Sequence, residues 1–471
     1  MSTVDQTAAT VGVPNSGFGT KGYRSFVLGS LLLVYVFNFI DRSIINILTE
    51  PIKASFGVED WQMGLLGGPA FAILYTMLGI PIARFAERFH RVWIIAIAVF
   101  VWSLMTALCG VATSFLVLFL FRVGVSVGEA GCTPPAQSLI ADYFVPKSRA
   151  TAVSIYALGV PLGGMFAAVF AGFIVGNLDG PSLAALFEGW GWNWMLGLAF
   201  ILVGIPGIIL AFVVKLTIQE PPRGYTDPAS VQKLEKASMK DVFKILSDKP
   251  TFWHIVAGAT IASFVGYGVA QFTTSFLVRT HGLSLETAAI LFGVIIGLMA
   301  AIGVFLSGYL ADQMAVRHPR ALCWMPALGM GLSVWIALPP LMAAATLHYF
   351  YLGPMYAIVG GVVDSRMRAT SVAITLFIVN LLGYGLGPPL IGILSTFLKS
   401  MFLSGNDLGM TLETCKVVTE LSADAVATCA YANSEGLRWS IIAFCSLYGW
   451  AAIHYLLAGK TLVRDMMAKE L

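Results

Sequence analysis

Residues 149–155 read RATAVSI and residues 368–374 read RATSVAI, identical at five of seven positions. A second echo pairs ARFAER (83–88) with GYLADQ (308–313). The two separations, 219 and 225 residues, differ, so the copies align only with gaps. Repetition at this scale means that one structural unit has been built twice.

The residues around the echoes say what the unit is. The chain of 471 residues is 58% hydrophobic and 11% charged, whereas a soluble domain carries ~25% charged residues. Stretches long and apolar enough to cross the ~30 Å hydrocarbon core as helices lie near 25–48, 61–83, 92–112, 114–142, 150–176 and 192–216. A second set lies near 252–279, 286–311, 321–340, 342–363, 369–399 and 437–458. The polar, lysine-bearing stretch QEPPRGYTDPASVQKLEKASMKDVFKILSDKP (219–250) separates the sets. The expected fold is therefore an all-α polytopic membrane protein with twelve transmembrane helices in two pseudo-symmetric halves. The halves are expected over 23–216 and 251–459, with a linker over 217–250 and an outer loop over 400–436. Residues 1–22 read as a disordered tail rather than a cleaved signal peptide, and 460–471 as a second tail. Each seven-residue echo opens the fifth helix of its half. Paired six-helix halves are the mark of a rocking transporter with its site at the repeat interface.

Basic residues set the orientation. Arg84, Arg88, Arg91, Lys147, Arg149, the linker lysines, Arg317, Arg320, Arg366, Arg368 and Arg464 fall on one side, while the loop at 177–191 has no Lys or Arg. By the positive-inside rule both tails are cytoplasmic. The net charge of +3 gives no reason to expect a nucleic-acid partner.

Within the first helix, VYVFNFIDRSIINIL (34–48) carries Asp41 and Arg42 inside an apolar run. A charge there costs ~2.5–3.5 kcal/mol on insertion scales and calls for a functional reason. Asn38, Asp41, Arg42, Ile45 and Asn46 form a stripe at helical spacing. The fourth helix has its own stripe of Arg122, Ser126, Glu129, Thr133 and Gln137, with Arg122 and Glu129 two turns, ~10 Å, apart. Both stripes must face the bundle interior, and Asp41 and Arg122 lie at similar depth. All six histidines, His90, His254, His281, His318, His348 and His454, fall near helix ends. The second half is read as having no acid or base at comparable depth, which leaves Asp41 and Glu129 as candidate proton carriers. Arg42 and Arg122 then tune them and receive an anionic group. Structural ion pairs locking helix 1 to helix 4 are the blander reading. The second half offers softer cavity contacts: Tyr267, Gln271 and Thr273 on a seventh helix expected to break at its glycines (FVGYGVAQFTTSF, 264–276), and Asn380 and Tyr384 on the eleventh. Apolar walls facing arginines suit a lipid-like molecule with an anionic head.

Other signals point away from enzymes. Gly124-Val-Ser126-Val-Gly128 matches a hydrolase elbow, but it lies in a hydrophobic helix with no histidine at its level. Gly124/Gly128, Gly159/Gly163 and Gly383/Gly387 read instead as close-packing faces. No phosphate-binding loop, zinc run or CxxC appears, so no cofactor or metal is expected. Cys415 and Cys429 share the long outer loop, either bridged or as two free thiols.

The stretch between helices 2 and 3, partly repeated between helices 8 and 9, resembles the signature of the major facilitator superfamily. Gly308 and Asp312 match it, while Ala83, Glu87 and Gln313 depart from it. IDR (40–42), RVGVSVGEAG (122–131), PAQSLIADYF (135–144) and EPPRG (220–224) resemble the spinster family of lysolipid and sphingosine-phosphate transporters. Asn193 stands where that family would have arginine. The charge pair and the Gly-Glu-Ala stretch are also similar to organic anion:cation symporters. The resemblance implies a proton-coupled carrier of an amphiphilic anion working by alternating access, a monomer in a bacterial inner membrane. Small-carboxylate symport or uncoupled lipid scrambling are the alternatives. It also implies a cytoplasmic gate formed by Glu87, Arg88, Arg91, Asp142 and Asp312.

Overall fold

In hydrocarbon a backbone can satisfy its polar groups only internally, and an apolar run of twenty or more residues does so as a helix. The computed structural model describes residues 17–86, 88–177, 194–223, 225–226, 239–315, 317–333, 341–363, 367–404, 408–416 and 422–466, and every regular element among them is helical. The helical segments join end to end into twelve rods among the described residues. They are α1 (Lys21–Ile47), α2 (60–86), α3 (Arg91–Cys109), α4 (Phe115–Tyr143), α5 (146–177) and α6 (Trp194–Thr217), then α7 (Pro250–His281), α8 (285–315), α9 (Ala321–Ser333), α10 (341–361), α11 (368–403) and α12 (Ala423–Asp465). Eight helices among the described residues are long and apolar enough to cross a membrane. Two short helices lie between rods, Thr49–Phe56 after α1 and Met239–Ser247 in the linker. The end of the bundle next to the linker is called the linker end below, and the opposite one the far end.

The glycine faces pack as their spacing indicates. A Cβ on Gly128 would lie 2.6 Å from the Trp102 backbone of α3, and one on Gly163 would lie 2.4 Å from Phe39 Cβ of α1. Gly387 similarly meets the Phe264 carbonyl of α7. The halves meet along far-end segments, α2 on α11, α5 on α8 and α1 on α7. Gly64 permits the first contact, since a Cβ there would sit 2.4 Å from the Pro388 carbonyl oxygen.

Three expectations need correcting. α7 does not break at its glycines but runs unbroken for 32 residues. Gly266 and Gly268 keep helical geometry and instead let His348 and Gly387 reach the α7 backbone. Next, α12 begins at Ala423, inside the stretch read as outer loop, and spans 43 residues. At 1.5 Å per residue it is ~65 Å long, about twice the hydrocarbon thickness. Asp424, Thr428, Asn433, Ser434 and Glu435 interrupt its first four turns, so hydropathy does not mark them as a crossing helix; Ser422 caps the start by accepting from Ala425 N. A Cys415–Cys429 disulfide, with Cα atoms 5.6 Å apart, ties the loop to this projection over a small cluster of Leu403, Met410, Ala425 and Ala432. Finally, His348 is not at a helix end in space. It packs against Gly266, midway along α7, so the second half does hold a titratable group in its interior. His348 is 9% exposed, ringed by Tyr349, Tyr351 and Tyr448, and its Nδ1 has no hydrogen-bond partner.

Candidate functional site

The two inward stripes of α1 and α4 meet. Arg42 Nε donates to Glu129 Oε2 at 2.7 Å, and Arg122 Nη1 donates to the backbone carbonyl of Asp41 at 3.0 Å. The pairing is crossed and incomplete. Glu129 has an arginine on one oxygen only, and neither arginine bonds the Asp41 carboxylate, which lies alongside Thr106. Asp41 Oδ1, Glu129 Oε1, Arg122 Nε and both side-chain heteroatoms of Asn38 are buried without a hydrogen-bond partner. Each such group costs ~1–3 kcal/mol, more when charged. A cluster of them in one place calls for an explanation.

Aromatic rings complete the surroundings of Arg42. Its guanidinium carbon lies 4.9 Å from the Phe39 ring centre, 4.4 Å from Phe71 and 4.6 Å from Tyr75. The arginine spends its Nε on Glu129, lies beside the Tyr75 hydroxyl and is 14% exposed. Sequence reasoning missed this cage. Its one signal was the i, i+4 spacing of Phe71 and Tyr75, ordinary in an apolar helix.

The second-half candidates divide. Tyr267, 38% exposed, packs at a tilt against Tyr384 with ring centres 4.3 Å apart, and Tyr384 in turn meets Phe71 at 5.5 Å, so a file of rings runs from Arg42 into the second half. Asn380 lies in a π-helical turn of α11 over 379–384 and is partly exposed. Gln271 is not brought to the arginines; it donates to Thr49 Oγ1 at 3.1 Å in the far-end seal. Ser126 and Thr273 spend their hydroxyls on their own helices, donating to the Val123 and Val269 carbonyls. Thr133 is half-buried beside Tyr156.

At the linker end Arg91 and Asp142 are paired, but within one half. Arg91 Nε donates to Glu220 Oε1 at 2.6 Å, and its Nη1 reaches Asp142 Oδ2, the Ser138 hydroxyl and the Ser138 carbonyl. Glu220 also accepts from Val92 N, capping α3, and Arg223 donates to the Ala86 and Phe89 carbonyls. Glu220 and Arg223 thus staple the start of the linker to the first half. Arg88 is exposed; Glu87 and the side chain of Asp312 lie outside the described residues.

The far end holds a cluster that sequence reasoning did not single out. Arg279 of α7 donates to both carboxylate oxygens of Asp60, at 2.8 Å each, and to Glu50 Oε1 at 2.6 and 3.0 Å. Lys53 also bonds Asp60, Ser395 Oγ donates to Asp60 Oδ2 at 2.6 Å, and Lys399 pairs with Glu59 at 3.2 Å. The first half supplies Glu50, Lys53, Glu59 and Asp60; the second supplies Arg279, Ser395 and Lys399. Burial pushes the Glu50 carboxyl up, but Arg279 and Lys53 outweigh it and hold the group below its ordinary range.

A bundle of two helical halves with charges inside it and a charged seam between the halves has the architecture of a membrane transporter. Residues 31–388 match the Major Facilitator Superfamily, and the chain belongs to that family, as a transporter of the spinster type. It is similar to a solved bacterial homologue of the human lysosomal transporter Spinster, inward-facing and unoccupied, with 41% identity and a TM-score of 0.87 over 96% of this chain and 100% of that one. It is 31% identical to an MFS-type efflux pump of Mycolicibacterium smegmatis over 88% of this chain and 94% of the relative. Protein spinster of Drosophila melanogaster is 26% identical over 87% of this chain and 68% of its own length.

Proposed function

We propose that this chain is a proton-coupled secondary transporter that carries an amphiphilic anion, of lysophospholipid or sphingolipid type, by alternating access. The observation that carries the reading is the half-made Arg42–Glu129 pair, with Asp41 buried beside it and unclaimed by either arginine. A proton arriving on Glu129 neutralises the partner of Arg42. The guanidinium then turns both nitrogens of its free edge to a phosphate or carboxylate, a stronger, bidentate pairing. Asp41 is the second proton acceptor, and Arg122 the second positive charge facing the anion. The aromatic file through Tyr384 and Tyr267 takes the apolar part of the cargo. Rocking of the halves requires the far-end seam to part and a linker-end contact to form, a contact we assign to the set Glu87, Arg88, Arg91, Asp142 and Asp312. We assign the protein, as a monomer, to a bacterial inner membrane, in keeping with its bacterial relatives, with both tails cytoplasmic, as the distribution of basic residues supports.

The name of the mycobacterial relative favours a second point, outward transport of the cargo. The test is flux of a fluorescent lysophospholipid in proteoliposomes after a pH jump. Uptake that follows the imposed gradient supports the proposal, and equal flux with and without a gradient would mean passive scrambling. Transport of small carboxylates but no lysolipid would overturn the cargo.

A further inference from the structure

Phe71 stands where three parts of the molecule meet. Its ring is fully buried (0% exposed), 4.4 Å from the Arg42 guanidinium carbon and 5.2 Å from that of Arg122. On its other sides it stacks with Tyr75 at 5.2 Å and meets Tyr384 of the second half at 5.5 Å. One phenyl ring therefore serves both guanidiniums, and two further rings pin it in place. A ring face attracts a cation most strongly where water is excluded. Unlike the Glu129 carboxylate, the attraction does not vanish when a proton arrives.

We infer that Phe71 is a positioning residue that keeps Arg42 and Arg122 aimed at the cargo once the carboxylates are protonated. The inference rests on the proposed function above for its purpose, but its geometry can be tested separately. The charged and titratable groups facing Arg42 and Glu129 are Tyr35 and Asp41 on α1, Tyr75 on α2, Arg122 and Cys132 on α4, Tyr267 on α7 and Tyr384 on α11. When both carboxylates are neutral, what still faces Arg42 in this set is uncharged: the ring faces of Phe39, Phe71 and Tyr75 and the Tyr75 hydroxyl. With Glu129 ionised, the ion pair and the ring hold Arg42 together, and loss of either is tolerated. With Glu129 protonated, the ring acts without that ion pair.

The experiment is a double-mutant cycle between Phe71→Leu and Glu129→Gln, the latter imitating the protonated state. The readout is the rate at which phenylglyoxal modifies Arg42 in the detergent-solubilised full chain, followed by peptide mass spectrometry. Each single variant should change the rate by less than about threefold, and the double variant should raise it by ~10-fold, the loss expected for a desolvated cation–ring contact. Phe71→Tyr, which keeps a ring, should restore the slow rate in the Glu129→Gln background. If the double variant reacts no faster than Glu129→Gln alone, or if Phe71→Met rescues as well as Phe71→Tyr, the ring is packing and the inference falls. Should Phe71→Leu fail to fold, Tyr75→Leu removes the neighbouring ring and is read in the same cycle. Lysophosphatidylglycerol binding by the same variants separates the two readings. Wild type that binds equally at pH 5.5 and pH 8 overturns proton coupling and leaves the labelling result standing. Loss of binding in Phe71→Leu that is uniform across pH overturns the positioning role while leaving the coupling intact.

Discussion

The molecule keeps charge in two places, and they are built on opposite rules. At the far end Asp60 receives two nitrogens of Arg279, the ammonium of Lys53 and the hydroxyl of Ser395, while Arg279 also engages Glu50. Inside the bundle, Asp41 Oδ1, Glu129 Oε1 and Arg122 Nε have no partner. A saturated network resists change because any displacement exposes a buried charge. An unsaturated one invites it, because a proton or an anion completes it. The comparison suggests a division of labour in which the far end holds a conformation and the interior senses what is bound.

The sharpest way to break this comparison is Arg279→Ala. Removing one partner of a buried charge network costs ~3–5 kcal/mol, and here Glu50 loses its paired arginine while Asp60 keeps only Lys53 and Ser395. Spin labels on the short helix Thr49–Phe56 and the far end of α11 should move apart, whereas Arg279→Lys should restore part of the short-distance population. Unchanged distances in Arg279→Ala would show that apolar packing of α2 on α11 holds the seam alone.

Next in size is Arg42→Ala, expected to weaken binding of an anionic lysolipid at least tenfold, the worth of a charge-assisted hydrogen bond, ~1.5–3 kcal/mol. Lysine at that position keeps the charge but loses the planar fork and its fit over Phe71 and Tyr75, so recovery should be partial. Full activity of Arg42→Ala would assign the anion to Arg122 instead. Asp41→Asn and Glu129→Gln should act differently, with at least one retaining binding while losing its pH dependence. If both still transport with the wild-type pH profile, coupling lies elsewhere, and the buried His348 becomes the group to change.

A smaller effect concerns pH at the far end. Glu50 is held below its ordinary range, so its stabilising contribution is complete above its unfolded value, ~4.3. It is lost only as pH falls through the lower folded value. Far-end label distances should therefore stay constant between pH 8 and pH 5.5 in Asp41→Asn/Glu129→Gln protein, where the interior no longer titrates. Opening over that window in the double variant would place the sensor in the seam. The smallest expected effect on transport is that of the Cys415–Cys429 bridge, which ties the α12 projection rather than the halves. Thiol labelling of unreduced, denatured protein should leave both cysteines unmodified, and Cys415→Ser/Cys429→Ser should lower thermal stability without changing the pH profile of flux.

Much of the fold was legible because its signals are local. Hydropathy marks a spanning helix from one window of residues, and the RATAVSI and RATSVAI echoes announce the repeat. Helical spacing alone turned Asp41, Arg42, Arg122 and Glu129 inward, because charges on a lipid-facing side are expensive. Tertiary structure decided which of these inward charges meet. Whether Arg42 reaches Glu129 or Asp41 depends on the rotation of α1 and α4 about their axes, and the place of Phe71 under both arginines depends on the interruption of α2 at Gly68; no spacing rule fixes either. Helix length at the polar start of α12 was likewise invisible to hydropathy, and the depth of His348 depended on where α10 crosses α7. The far-end seam lay furthest from view, since its bonds join residues 219 to 340 positions apart. Such pairs form only when two separately folded halves are brought face to face, and nothing within either half's sequence states which charge on the other it will meet.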